Sequence, residues 1–347
     1  MLIGYDKISG IVFNNLFNGV KFYKFLRNHQ VHHDFKYELG LNVDSYEYGS
    51  GISFYEESKC HMYWKNYGNK LAKVVVPNDA NVRVEKDKFI SDKIIMTDII
   101  DFADVDDTFW LNIIRHDCTV LQHIKHQTEE MCIFIIEKDP LMLVFVKNKT
   151  LELCELAVRK NCFALMDVED QTDEMCRSAV QKNGYALEYV KDQTDEICEL
   201  AIRQIGLALE YVKNQTETLC KLAVQKNGSA LQYVKIQTDE ICKLAVQQHG
   251  SALQHVKNQT DEICRLAVQK DGYALMYVKN QTDNICKLAV LQNGYALKHV
   301  KNQTAEICFI AIQNTIGALQ FIKNLKSYVA TGVFFAGSIT AIIYMIH

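Results

Sequence analysis

The stretch TDEICKLAVQQHGSALQHVKNQ, residues 238–259, decides the fold because its pattern recurs at a fixed step of 22 residues. A cysteine and a threonine mark every step. The cysteines are Cys132, Cys154, Cys176, Cys198, Cys220, Cys242, Cys264, Cys286 and Cys308, and the threonines are Thr128, Thr150, Thr172, Thr194, Thr216, Thr238, Thr260, Thr282 and Thr304. With a degenerate first copy at 106–127 and a last copy at 304–325, the register gives ten copies over 106–325. Such a repeat predicts a solenoid, in which each unit packs on its sequence neighbours.

Each copy is predicted to fold as a pair of short helices. Thr238 suits the N-cap of the first helix, and Asp239 and Glu240 place negative charge at the positive end of the helix dipole. Gly250 is expected to end this helix in a left-handed conformation. A second helix follows near 251–257. Because helices this short are marginal alone, the core must come from stacking successive copies.

The cysteine column could be interpreted as a metal array or as a set of disulfides. Helices pack about 8–10 Å apart, whereas a disulfide needs Cα atoms within about 7 Å and zinc needs four ligands around one point. One cysteine per copy meets neither demand. We therefore predict small buried apolar side chains rather than ligands. Cys60, Cys118 and Cys162 lie outside the column and show no ligand spacing.

A lysine and a glutamine also recur near the end of each copy. The lysine column could bind phosphates, but Lys257 precedes Asp261 and Glu262 of the next copy, so we expect the two columns to lie side by side and largely to cancel. The glutamine amides are predicted to form hydrogen bonds from copy to copy. The lysines are Lys125, Lys147, Lys191, Lys213, Lys235, Lys257, Lys279, Lys301 and Lys323, and the glutamines are Gln171, Gln193, Gln215, Gln237, Gln259, Gln281 and Gln303.

Positions that vary between copies are where a binding face would show. The residue after glycine varies between tyrosine, leucine and serine, and a second variable column alternates tyrosine with histidine. Aromatic residues at helical spacing usually belong to a core or its rim, but a half-exposed row of them could anchor a protein partner. We take this second column as the candidate partner-binding stripe. It consists of Tyr189, Tyr211, Tyr233, His255, Tyr277 and His299.

Residues 1–105 do not share the repeat and are predicted to form a small α+β domain. A helix is expected near 8–26, and strands are expected at 53–55, 73–76, 82–85 and 93–96. The segment LAKVVVPNDANVRV, residues 71–84, predicts a strand, a Pro-Asn-Asp turn and a second strand.

Histidines of this region are the candidate acid–base groups or ligands of the chain. They are His29, His32, His33 and His61, with Asp34, Glu38 and Asp44 nearby. No P-loop, GxGxxG, GxSxG, CxxC or HExxH motif accompanies them. We therefore favour a surface cluster and assign no catalytic, cofactor or metal site. The alternative is an N-terminal enzyme domain whose repeats recruit substrate.

Four stretches of this region carry a resemblance: GLNVD (40–44), GISFYEE (51–57), YGNKLAKVVVPNDANV (67–82) and FISDKII (89–95). They resemble the N-terminal domain of giant-virus, mimivirus-type, proteins that usually precedes ankyrin or other repeats. The TDEICKLAVQKNGYAL-type copies likewise resemble repeats of unknown function in such proteins. The resemblance implies a viral protein of the host cytoplasm or the virion, and it brings no catalytic residues. Since the repeats are not ankyrins, ankyrin-type partners are not implied.

The segment YVATGVFFAGSITAIIYMI, residues 328–346, contains no charged residue and is just long enough to span a bilayer. Lys323 and Lys326 flank it on the side that we expect to be cytosolic. The alternative is a helix that caps the last repeat, but a cap should carry a polar outer side, and here only Thr331, Ser338 and Thr340 could supply it. We expect a transmembrane tail anchor over 327–346.

The chain start is not expected to be a signal peptide, because charged and amide residues interrupt its apolar run. With 48% hydrophobic and 23% charged residues and a net charge of -4, the composition excludes a disordered chain and disfavours nucleic-acid binding.

Together, these observations predict a mainly α fold: an αα-solenoid of ten 22-residue helix pairs, preceded by the α+β domain and followed by one apolar helix. The expected function is a non-enzymatic, single-pass membrane scaffold, largely cytosolic, that binds a protein partner and no cofactor, nucleic acid or small-molecule substrate. A soluble structural repeat protein is the remaining alternative.

Overall fold

The computed structural model describes residues 7–27, 30–32, 35–44, 51–64, 69–323 and 325. The chain divides into two compact units, Met1–Asp167 and Val168–His347. The predicted boundary at 105/106 marks the change from strand to helical repeat, whereas the first compact unit continues to Asp167. The apolar helix predicted over 327–346 lies outside the described residues.

Unit 1 begins with an antiparallel sheet. Its strands are β1 (Lys7–Ser9), β2 (Phe22–Leu26), β3 (Val31–His32), β4 (Phe35–Lys36), β5 (Gly40–Val43), β6 (Ile52–Glu56), β7 (Lys70–Val75), β8 (Asn81–Val84), β9 (Phe89–Ser91) and β10 (Lys93–Asp101). Eight of them follow the order β1-β8-β9-β6-β2-β7-β10-β5, and β3 pairs with β4 separately. Helix α1 (Gly10–Leu16) and short 3₁₀ helices at Glu57–Met62 and Phe102–Asp104 complete the region.

An aromatic cluster joins α1 to this sheet. The fully buried Phe13 of α1 has its ring centroid 5.1 Å from that of Phe22, 5.1 Å from that of Phe89 and 5.9 Å from that of Phe54. Tilted and edge-on ring pairs at such distances are favourable, and each ring also removes a large apolar area from water. Phe13 therefore fixes the position of α1.

The helix predicted near 8–26 is wrong in its second half. Helix α1 ends at Leu16, and the following segment forms β2, which lies between β6 and β7. Gly19 has a φ of +80°, a conformation that glycine adopts at little cost, in the turn between the helix and β2. All five residues of β2 are buried, and a continuous apolar run carries no period that separates strand from helix.

The four predicted strands are confirmed in place, with bounds that differ by a few residues. The predicted turn is also confirmed, because Ala80 N donates to Pro77 O at 3.0 Å. The strands on either side of it do not pair with each other. β7 pairs with β2 and β10, whereas β8 pairs with β1 and β9.

Three copies of the repeat lie within unit 1. Their α-helices are α2 (Asp107–Ile114), α3 (Glu129–Lys138) and α4 (Leu151–Lys160), followed by 3₁₀ helices at Cys118–His123, Pro140–Phe145 and Cys162–Asp167. The first copy packs on the sheet region: the Phe109 and Tyr23 rings lie 5.1 Å apart, and the Trp110 and Phe102 rings lie 5.7 Å apart.

Unit 2 contains seven further copies in its described residues. Their α-helices are α5 (Asp173–Lys182), α6 (Asp195–Gln204), α7 (Glu217–Lys226), α8 (Asp239–Gln248), α9 (Asp261–Lys270), α10 (Asp283–Gln292) and α11 (Ala305–Asn314). The 3₁₀ helices are Gly184–Tyr189, Gly206–Tyr211, Gly228–Tyr233, Gly250–His255, Gly272–Tyr277, Gly294–His299 and Ile316–Phe321. The predicted threonine caps are confirmed; Thr238 Oγ1, for example, accepts from Ile241 N at 3.4 Å.

The second helix of each copy is a 3₁₀ helix, so the predicted αα pair is wrong in this respect. Ala252 N donates to His249 O at 2.9 Å, and Val256 N donates to Leu253 O at 3.1 Å. These bonds close i to i+3 turns, the pattern used by short helical segments. A six-residue segment between two extended residues is too short to establish an α-helix.

In the copies that contain α5 to α10, a glycine opens the 3₁₀ helix. The left-handed conformation predicted for it is wrong, and the glycine instead allows adjacent copies to pack closely. Helix α8 ends at Gln248, His249 is extended with φ −135° and ψ 113°, and Gly250 does not have a positive φ. A Cβ atom on Gly250 would lie 2.6 Å from Ala267 O in the next copy. Glycine is therefore required because adjacent copies approach there.

The core of unit 2 repeats one arrangement. In the copy at 238–259 each core side chain is at most 4% exposed, and the members are Ile241, Cys242, Ala245, Val246, Ala252, Leu253 and Val256. Helix α8 packs against α7 and α9. Successive copies thus enclose side chains that a single copy could not bury.

Candidate functional site

The six stripe residues all lie on the 3₁₀ helices of unit 2, and each is the last residue of its helix. All six are half-buried. The residue after glycine in one copy packs edge-on against the stripe residue of the next: ring centroids are 6.1 Å apart for Tyr185 and Tyr211 and 6.0 Å apart for Tyr273 and His299. We call these two columns together the aromatic face.

Acidic side chains border the first half of the aromatic face. Burial, followed by a hydrogen bond to the Glu210 carboxylate, raises the pKa of Tyr233. Burial, followed by the charges of Glu210 and Glu188, raises the pKa of Tyr211. Burial lowers the pKa of His255. These rings are therefore mainly uncharged at neutral pH and present apolar surfaces with polar edges.

The lysine column is predicted to lie beside the acidic residues of the next copy, and in the structure its ammonium groups contact backbone oxygens of the preceding copy. Lys257 Nζ donates to Lys235 O at 3.2 Å, and Lys279 Nζ donates to Lys257 O at 2.9 Å. Glu262 pairs instead with Lys243 of the preceding α-helix at 2.6 Å. The column lysine follows a 3₁₀ helix that places it against carbonyl oxygens of the copy before, and these accept the ammonium hydrogens. The column therefore links copies to one another.

The predicted hydrogen bonding of the glutamine column from copy to copy is confirmed. Gln237 Nε2 donates to Leu231 O at 3.3 Å in its own copy and to His255 O at 2.9 Å in the next, while its Oε1 accepts from Lys257 N at 3.0 Å. One amide thus satisfies three backbone groups. The same set recurs at Gln193, Gln215, Gln259, Gln281 and Gln303.

The cysteine column is buried, as predicted. Cys242 Sγ lies 3.8 Å from Gln237 Oε1, as a weak hydrogen bond. Burial raises the pKa of the Cys286 and Cys308 thiols to about 11, which makes them poor nucleophiles and ligands. Among the described residues, no group of three or more His, Cys, Asp or Glu could hold a metal ion.

The N-terminal candidates are only partly described. His29, His33 and Asp34 lie outside the described residues, and of His32 only the backbone is described. His61 stacks on His116 with ring centroids 4.1 Å apart, a neighbour that the sequence did not single out. Burial, followed by the proximity of His116, lowers the pKa of His61. Glu38 forms an exposed ion pair with Lys36 at 2.9 Å.

Sequence reasoning missed one buried ionisable residue, Lys24. Lys24 is 5% exposed. Its Nζ donates to Ser53 O at 2.9 Å and lies 4.6 Å from the centre of the Tyr37 ring. Burial lowers the pKa of Lys24 to about 7. The one signal in the sequence is a lysine at the centre of the apolar run FYKFL.

A shallow cavity of about 410 Å³ lies beside α2 and α3 in unit 1. Leu111 and Ile133 contribute apolar surface, while Arg115, Glu129 and Glu130 are exposed charges at its rim.

Comparison with protein families matches two overlapping stretches, residues 216–260 and 238–282, to a family described as a domain of unknown function (DUF4116). The chain is thus similar to that family over three consecutive copies, and each match covers about two of them. No curated protein and no solved structure matches the chain. Among the residues that the structure describes, no helix combines the length and apolar character needed to cross a membrane.

Proposed function

We propose that this protein is a non-enzymatic interaction scaffold whose aromatic face in unit 2 binds a protein partner. One observation supports this most. The glutamine, lysine, glycine and core columns repeat the same contacts with other copies. The aromatic face also packs between copies at Tyr185 and Tyr273, but its residues vary from copy to copy and its rings stay half-exposed. Half-exposed tyrosine and histidine rings supply apolar area together with hydrogen-bonding groups, which is the chemistry of binding hot spots.

The test compares two triple variants of the full chain. Tyr233→Ala, His255→Ala and Tyr277→Ala truncate the aromatic face, whereas Lys221→Ala, Lys243→Ala and Lys287→Ala change ion-pair residues on the α-helices as a matched control. We expect quantitative affinity purification to lose a defined set of proteins with the first variant and to retain them with the second. Equal recovery with all three chains would contradict the proposal, provided that the variants melt cooperatively.

We further propose that residues 328–346 hold the scaffold at a membrane, with most of the chain in the cytosol. The support is the sequence of this segment, which carries no charge over its length. The resemblance to giant-virus proteins favours a host membrane or a virion.

Carbonate extraction of membranes tests this anchor. The full chain is expected in the pellet, and a chain ending at Lys326 in the supernatant. Phe335→Lys is the matched control, because a charge near the middle of a span costs about 2.5–3.5 kcal/mol on insertion scales. Extraction of the full chain into the supernatant would contradict the anchor and leave the binding proposal untouched.

A further inference from the structure

The ring pairs of the aromatic face are interrupted in the middle of unit 2. Edge-on pairs form where a tyrosine follows the glycine, at Tyr185, Tyr273 and Tyr295. Three copies lie between Tyr185 and Tyr273; the first carries Leu207 at this position, and the next two carry Ser229 and Ser251. The rings of His255 and Tyr277 in the following copies therefore receive no tyrosine from the preceding copy.

The backbone is the same with and without the ring. Ser229 N donates to Asn227 Oδ1 at 3.0 Å, and Tyr185 N donates to Asn183 Oδ1 at 3.0 Å. The residue after the 3₁₀ helix has φ −71° and ψ 116° in the serine copy and φ −74° and ψ 120° in the tyrosine copy. Ser229 and Ser251 thus stand at two adjacent positions where the other copies of unit 2 with this glycine carry a tyrosine or a leucine. We call these two positions the serine gap, and the places of the missing larger side chains its two vacancies.

Charge changes sign across the serine gap. Residues three apart on a 3₁₀ helix lie on the same side, so the residue three after the tyrosine, leucine or serine of each copy borders the row. Before the gap these residues are Glu188 and Glu210, within it they are Gln232 and Gln254, and after it Lys298 follows Met276. All six are exposed. A ligand along the row therefore meets negative charge at one end and positive charge at the other.

We propose that the serine gap binds an extended segment of a partner protein, which places aromatic side chains over His255 and Tyr277, a basic residue toward Glu210 and an acidic residue toward Lys298. This rests on the proposed function and specifies its partner. Adjacent copies are about 8–10 Å apart, and a polyproline II segment advances about 9 Å per turn of three residues. Two aromatic residues three positions apart then face the two vacancies.

The test selects binders from a displayed library of random peptides with the immobilised full chain. We expect enriched sequences to share two aromatic residues three apart, with a basic residue on one side and an acidic residue on the other. A synthetic peptide of the enriched sequence is then titrated against variants. Ser229→Tyr with Ser251→Tyr should weaken it about tenfold, the loss expected when two aromatic contacts are blocked. Tyrosine already occupies the equivalent position in other copies, so this variant is expected to fold.

Two further variants separate the possible outcomes. Ser229→Ala with Ser251→Ala keeps the vacancies open and should leave the affinity of the peptide unchanged. Glu210→Lys should lower the affinity for a peptide with a basic end. A peptide whose basic residue is changed to glutamate should bind this variant with the affinity restored. An enriched set without aromatic residues, or a tyrosine variant that binds as tightly as the wild type, would overturn the serine gap as the site. A peptide from the enriched set could still lose its affinity for the triple variant with alanine at Tyr233, His255 and Tyr277. In that case the aromatic face would remain the binding surface.

Discussion

The sheet of unit 1 and the repeats of unit 2 bury apolar side chains by opposite routes. In the sheet, neighbours come from distant parts of the chain: β2 lies between β6 and β7, and β1 pairs with β8. In unit 2, α8 packs against the helices of the copies before and after it. A side chain in the sheet therefore has an environment of its own, whereas a side chain of the repeat recurs in nearly the same environment from copy to copy. Substitutions in the two units should differ accordingly.

Lys24→Met tests the sheet and should have the largest effect, a stabilising one. Burial lowers the pKa of Lys24 from 10.5 to about 7, so between these values the unfolded chain holds a proton that the folded chain has lost. Stability then falls as the pH drops from 10.5 toward 7, by about 1.4 kcal/mol per unit, and the penalty is constant below 7. This penalty amounts to about 5 kcal/mol at neutral pH. Loss of the hydrogen bond to Ser53 O offsets about 1 kcal/mol of it, so we expect the variant to gain about 4 kcal/mol. Urea unfolding of both chains at a series of pH values measures this difference.

Thiols and phenols that ionise in the same pH range affect the stability of both chains equally, so their contribution cancels in the difference between variant and wild type. Lys73→Met on the neighbouring strand is the control, since Lys73 is half-exposed and pairs with Asp98 at 3.1 Å. Its effect should be small, because the ion pair lies at the surface. A Lys24→Met difference that does not shrink as the pH rises would refute the buried-amine explanation.

Gln237→Ala tests the repeats and should be the next largest change. The variant loses two hydrogen bonds donated by Nε2 and one accepted by Oε1, all with backbone groups. At about 0.5–1.5 kcal/mol for each bond, we expect a destabilisation of about 3 kcal/mol in urea unfolding.

The same copy supplies the control, because Gln247 is exposed on α8 and its replacement by alanine should cost less than about 0.5 kcal/mol. Gln259→Ala should match Gln237→Ala, since the contacts are the same. Unequal effects at these two glutamines would show that the copies are not energetically equivalent.

Gly250→Ala should follow, with a destabilisation of about 2 kcal/mol. At a site with open space the same change often stabilises a protein, because alanine restricts the unfolded chain. Here the added methyl group would meet Ala267 O at 2.6 Å. Thermal unfolding measures the effect. Ile316 occupies the equivalent position in the last copy and is 45% exposed, so Ile316→Ala is expected to change stability by less than about 0.5 kcal/mol. A neutral Gly250→Ala would mean that the copies can move apart at no cost.

The contrast also explains what the sequence could predict. Thr238, Gln237 and Cys242 were assigned correctly because each recurs at one step, so a local role is visible many times over. The conformation predicted for Gly250 is wrong. The sequence shows that glycine is needed there, but it does not distinguish a positive φ from a close contact. The class of the second helix depends on its length and packing, which periodicity does not report.

In unit 1 the missing information is pairing. The residues next to the run FYKFL in sequence do not reveal that β6 and β7 lie on its two sides, so its apolar pattern also predicts a helix. The stripe was identified by its variability, but the gap depends on contacts between one copy and the next. Only the structure shows that a serine stands where another copy places a ring against its neighbour.

Lys243→Ala should have the smallest effect and tests what holds the copies together. Lys243 Nζ lies 2.6 Å from Glu262 Oε2 in the next copy, but Glu262 is well exposed to solvent and Lys243 is partly exposed. Exposed ion pairs contribute below about 1 kcal/mol and weaken with salt. A double-mutant cycle with Glu262→Ala, repeated at low and high salt, measures the coupling. If that coupling exceeded the cost of Gln237→Ala, ion pairs on the α-helices, and not amides bonded to the backbone, would set the cohesion of unit 2.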